Sequence, residues 1–182
     1  MTSPLPAMHA PEMVQSDVAV FMQKIFSNDP LTMVVRAHLY IESALVTLIR
    51  VYMEEDVLET DKLSFPSKLQ LCIGLGLLSL QEQDVLIRLN RIRNRFVHNL
   101  DAQLTRRDAE KLRRDLPAPQ QERVGAALKH LNVPSEAYTE TIAMIFTQLY
   151  SQLVSLSRGL ELLRTAGLPK DEAVKRLREI RH

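Results

Sequence analysis

Arg93, Asn94 and His98 form the one string in this chain whose residue types and spacing suit chemistry. They lie in Leu89-Asn90-Arg91-Ile92-Arg93-Asn94-Arg95-Phe96-Val97-His98-Asn99. An imidazole can act as general base or acid, and a guanidinium can hold a scissile phosphate and its transition-state charge. With a polar amide beside them, the set suits metal-independent RNA cleavage. On a helix Asn94 and His98, at i and i+4, share a face. Arg93 and His98, at i and i+5, are turned about 500° from one another, which leaves them about 140° apart. A helix end that frays at His98 would let the ring swing toward Arg93. The competing reading is a basic helix with solvated arginines, whose histidine caps its C-terminus.

Other chemistries have less to build on. The five histidines are His9, His38, His98, His130 and His182, and no two are four residues apart, so no helix-borne metal site is expected. Cys72 is the only cysteine, which excludes an intrachain disulfide and a multi-cysteine zinc site. Set in Leu71-Cys72-Ile73, it reads as a small core hydrophobe. There is no Gly-x-x-x-x-Gly-Lys-Ser/Thr loop and no Gly-x-Ser-x-Gly elbow. Gly74-x-Gly76 is followed by leucines and reads as close helix packing plus a C-cap. Neither a metal nor a cofactor is expected.

Two further polar groups bear on the string. His38 and Glu42 stand one helical turn apart in an apolar stretch, with Arg36 just before them. Glu42 either pairs with Arg93 across a helix interface and orients it, or lies on a solvent stripe. Arg91, Arg95, Arg36 and Glu42 are therefore candidate binding residues. Residues 88 to 114 hold nine Lys/Arg against three acids, a local excess of six positive charges. Arg106, Arg107, Lys111, Arg113 and Arg114 are mixed with Asp108, Glu110 and Asp115 at helical spacing. This reads as a solvated face laced with ion pairs, with a phosphate-backbone track as the alternative. No aromatics interleave with these bases, so stacking on single strands has little support.

The elements that must position these groups are helices. Residues 1–12, with three prolines, read as a flexible lead-in, and 13–182 as one all-α domain of about seven helices. Apolar spacing predicts a helix over Met13–Phe26 and a long central one from Pro30 to about Met53, capped by Asp29. Further helices are predicted from Pro66 to about Gly76, over Asp84–Asn99, over Thr105–Leu112 and over Gln120–Leu131. Ser135 is expected to cap a long helix ending at Gly167, and Pro169 to open a last, charged one.

A length of 182 residues and 46% hydrophobics allow a core that needs no staple. Five glycines and no tryptophan argue for an aliphatic, helical core. The net charge of +1 gives the whole molecule no strong pull toward nucleic acid, so tight sequence-specific DNA binding is not expected. Arg36, Glu42 and Arg50 interrupt the best candidate for a membrane span. The N-terminal MTSPLPAMHAPEM lacks the basic and apolar regions of a secretory signal. The expectation is a cytoplasmic protein without a membrane.

The Arg-Asn-x-x-x-His string, late in an internal helix, resembles the HEPN superfamily, many of whose members are ribonucleases. A wider stretch resembles the mannitol operon repressor family more closely. It comprises Val35-Arg36-Ala37 and Glu42-Ser43-Ala44-Leu45, then Phe65-Pro66-Ser67-Lys68-Leu69, Gly74-Leu75-Gly76-Leu77-Leu78, and Leu89 through His98. The similarity covers about residues 30 to 100. It implies Arg93 and His98 as the catalytic or ligand pair, Asn94 as their assistant, and a homodimer with both copies of the motif in one cleft. The repressor-like branch implies instead a non-catalytic regulatory module acting through protein partners. RNA is a candidate ligand under the ribonuclease alternative, of toxin or defence type. A third alternative is an immunity- or antitoxin-like binding protein, which would use the acidic run at residues 54–61.

Overall fold

Asp29 accepts hydrogen bonds from the backbone N–H groups of Leu31 (3.2 Å) and Thr32 (2.9 Å), and Pro30 follows it at the first helical position. Together they start the long helix α2, Pro30–Met53, at the predicted residue. The computed structural model describes residues 10–27, 29–53, 59–99 and 101–181, and among these it contains eight helices and no strand. The chain is therefore all-α. The other helices are α1 (Ala10–Ile25), α3 (Phe65–Gly74), α4 (Leu80–His98), α5 (Arg106–Asp115), α6 (Ala118–His130), α7 (Tyr138–Thr165) and α8 (Lys170–Arg181). One 3₁₀ turn, Thr60–Lys62, precedes α3.

The two long helices, α2 and α7, carry most of the core. Val34, Ala37, Ile41, Leu45, Leu48 and Ile49 of α2 are fully buried, as are Ile142, Ile145, Phe146 and Leu160 of α7. The remaining helices pack round this pair, and one continuous aliphatic core results. Burying side chains of this kind stabilises by roughly 1.5–3 kcal/mol each relative to exposure. Cys72 lies in the same core, 0% exposed, and burial pushes its thiol up to about 12.

Several helix starts differ from the sequence reading, each for a local reason. Helix α1 spans Ala10–Ile25, starting before the predicted Met13, and the rest of the expected lead-in, positions 1–9, lies outside the described residues. Helix α4 begins at Leu80, four residues early. Its cap is a reciprocal pair in which Ser79 accepts from the Glu82 N–H (3.3 Å) and Glu82 accepts from the Ser79 N–H (2.7 Å). Ser135 does not cap α7. It donates to the Glu136 carboxylate instead, and α7 starts at Tyr138 behind an uncapped Ala137.

The Gly74/Gly76 pair divides its expected roles. Gly76 adopts φ +71° and ends α3, with the Leu77 N–H reaching back to the Cys72 carbonyl (2.8 Å). A Cβ on Gly74 would meet nothing within 4 Å, so that residue serves no close helix packing. By length and composition α2 is the single candidate membrane span among the described residues, with mean hydropathy 1.3, despite its charged residues. In this fold 56% of that window is buried inside the bundle.

Candidate functional site

Positions 34, 38, 41 and 45 follow the core spacing of α2, and three of them are apolar. The fourth is His38, only 1% exposed, so its ring must find partners inside the protein. The same pattern recurs on α3, where Phe65, Leu69 and Cys72 are buried and Lys68 shares their stripe at 3% exposure. Packing α3 and α4 against α2 brings these misfit polar residues together.

His38 Nε2 lies 3.0 Å from Oδ1 of Asn90 on α4. Which partner donates is set by the ring tautomer, and a ring with its proton on Nδ1, the edge that faces Glu42, leaves Nε2 to accept from Arg93. Arg93 Nη2 lies 3.5 Å from the same nitrogen. On the other edge Nδ1 is 3.7 Å from the Glu42 carboxylate, and the ring packs against Phe65 at 4.5 Å between centroids. Lys68 Nζ reaches Glu42 Oε1 at 2.6 Å. The buried ammonium thus has its counter-ion at hydrogen-bond distance, as a charge out of water requires.

Burial lowers the pKa of His38 below its ordinary value, and the charge of Arg93 lowers it further. The hydrogen bond to Asn90 and the charge of Glu42 oppose this without reversing it. The imidazole is therefore neutral at neutral pH, flanked by one buried ion pair and one guanidinium. Five residues from three helices form this polar network. With Lys68 and Arg93 against Glu42 it carries one net positive charge, and its polar contacts join the three helices.

The sequence-predicted residues are distributed around it rather than gathered in it. Arg93 joins the network through His38. Of the two readings of Glu42, neither the pairing with Arg93 nor a free solvent stripe is realised, because Glu42 binds Lys68 and faces His38. Asn94 is half-buried and His98 is exposed at the last residue of α4. The helix stays regular to His98, so the separation of about 140° between it and Arg93 persists. Arg91 is exposed, and Arg36 donates to the Lys24 carbonyl (3.0 Å). Arg95 holds Asp108 with two hydrogen bonds, of 3.1 and 2.8 Å.

Sequence reasoning missed Lys68 and Asn90. Each had a legible signal, a polar residue at core spacing in an otherwise apolar helix face. A cavity of about 790 Å³ lies elsewhere, lined among others by Glu82, Gln120, Arg123, Ser151, Gln152 and Arg178, and no residue of the network lines it. Among the described residues no three His, Cys, Asp or Glu side chains cluster as metal ligands. Of the acidic run, Asp61 pairs with Arg50 and Glu59 with Lys62, while residues 54–58 lie outside the described residues.

Fold and site together define an all-α bundle whose polar signature is a joint of buried His38 and Lys68 with half-buried Glu42, Asn90 and Arg93. The chain matches no protein-family model, and no curated protein or solved structure matches it significantly.

Proposed function

We propose that this chain is a non-catalytic regulatory module of the mannitol operon repressor type, a cytoplasmic homodimer that acts through protein partners. One observation carries the reading. The guanidinium of Arg93 is directed onto the buried ring of His38, while His98 stands exposed at the end of α4. A phosphate clamp and a general base must reach one reacting centre together, with the base within hydrogen-bond reach of its proton. Within one protomer these two residues do not converge.

The burial of His38 and Lys68 at the centre of the network supports the same reading. A polar joint of this kind fixes how α2, α3 and α4 pack, and so fixes the outer surface that a partner would meet. Exposed apolar residues beside the network, Leu39 (58%) on α2 and Val97 (53%) on α4, fit a module that is covered in its working assembly.

The test is direct. Purified wild-type protein, incubated with total RNA and a chelator, is expected to leave the RNA intact. Light scattering at high micromolar concentration is expected to return twice the 20.8 kDa chain mass. Chelator-resistant cleavage that disappears in His98→Ala would overturn the regulator in favour of the metal-independent ribonuclease built on Arg93 and His98.

A further inference from the structure

Helix α5, Arg106–Asp115, carries five cations and three acids, and the destination of those acids decides what its outer face is. Asp115 is bound by Arg88 of α4, and Asp108 by Arg95 of α4 at 2.8 Å. Both carboxylates are 13% exposed. The arginines are seven residues apart on α4 and their partners seven apart on α5 in the opposite order. The helices are therefore antiparallel and locked at two points, two turns apart. Burial alone would raise the Asp108 carboxyl, yet the hydrogen bonds from Arg95 and Thr105 hold it below its ordinary value.

Halfway between the two locks, the register brings residues 91 and 92 level with 111 and 112. Ile92 and Leu112 are buried, which leaves Arg91, exposed, and Lys111, half-buried, on the solvent side of the seam. Arg107 and Arg114, at i−4 and i+3 from Lys111, continue the same ridge and are exposed. Arg114 also approaches Asp115, at 3.6 Å, while staying 70% exposed. Glu110 is the one acid of α5 not spent on α4. The sequence mixes acids with bases along α5, but the fold turns two of the three acids inward. Cations are left outside.

We infer that the α4–α5 seam, through Arg91, Arg107, Lys111 and Arg114, is a sequence-independent binding strip for the phosphate backbone of duplex DNA. The choice of occupant follows from what the strip lacks. Between the two locks the apolar residues Leu89, Ile92, Ala109 and Leu112 are buried, and the exposed apolar residues of α4, Leu80 and Val97, lie outside the locked stretch, so the strip offers charge without the apolar core of a protein interface. The exposed aromatics among the described residues, Phe26 and Tyr138, are on neither helix. Unstacked bases would find no ring to lie on, whereas a duplex keeps its bases stacked on each other. From Arg107 to Arg114 the ridge spans about 10 Å, along which a duplex presents about six phosphate charges. The contact is weak and non-specific, in keeping with the net charge of +1. It is independent of the His38 network and of the reading built on it.

The full chain should be titrated into a fluorescent mixed-sequence duplex of about 20 base pairs, at salt from about 25 to 200 mM, by anisotropy. Two unrelated sequences are expected to bind equally. The slope of log K against log salt should be about −3.6, the value for four released counterions. Arg107→Gln with Arg114→Gln should shrink that slope by about two units and leave the melting temperature unchanged, because both side chains are exposed. No binding at the lowest salt, a slope unaltered in the double variant, or tighter binding of single-stranded oligo(dT) or of a polyglutamate peptide would each overturn the assignment. RNA cleavage would overturn the proposed function and leave this result untouched.

Discussion

Arg93 Nη2 sits 3.5 Å from Nε2 of His38, which lies 55 positions earlier in the chain and is 1% exposed. A residue whose neighbours in sequence suggest phosphate chemistry is thereby engaged with an imidazole that solvent does not reach. The energetics of that engagement differ from those of an open catalytic pair, and the difference is measurable.

Arg93→Ala should destabilise the protein by about 1–3 kcal/mol, because a buried polar partner loses its neighbour. His98→Ala, at an exposed helix end, should stay within about 0.5 kcal/mol of wild type. Urea denaturation of the two variants separates the cases. Equal stability in both, with loss of an RNA-cleaving activity, would contradict the structural role of Arg93.

Breaking the Lys68–Glu42 pair from one side should be costly. Lys68→Met leaves the Glu42 carboxylate beside an apolar stripe and should cost about 3 kcal/mol, at the low end for a buried pair because Glu42 is 25% exposed. Lys68→Met combined with Glu42→Leu should recover most of the loss. A double variant as unstable as the single one would show that the pair itself, rather than its orphaned charge, sets the energy.

Acid should weaken the fold through His38. Its folded pKa lies below the unfolded value of 6.5, so as pH falls the unfolded chain takes up the proton first. The stability contributed by the neutral ring is complete above pH 6.5 and is lost progressively as pH falls from there through the folded pKa. Thermal melts between about pH 7.5 and 5.5 should show a drop in wild type and a flatter profile in His38→Gln. A drop of the same size in both would assign the acid sensitivity to another group.

Two glycine replacements should act in opposite directions. Gly167 follows α7 at φ +85°, so Gly167→Ala should cost about 1 kcal/mol from backbone conformation, although space for a Cβ is open. Gly74 ends α3 in a helical conformation with the same open space, so Gly74→Ala should stabilise by up to about 1 kcal/mol. A melting-temperature comparison checks both signs.

The amino-acid sequence by itself determined the helices. Apolar spacing, Asp29 before Pro30, Ser64 before Pro66 and Gly167 after α7 are local signals, and local hydrogen bonds read them directly. A start of α4 at Asp84 overlooks the Ser79–Glu82 cap, which is also a local signal. The candidate site was legible only in part. Arg93 could be singled out by its type and its neighbours, but its partner could not, because His38 meets it through the packing of α2 on α4. Lys68 looked like any exposed lysine until α3 lay against Glu42. The α5 acids looked like partners for the arginines beside them until α4 claimed Asp108 and Asp115. Helix formation depends on residues three and four positions apart, whereas the pairing of charges depends on which helices the core brings together. That second choice belongs to the tertiary structure alone.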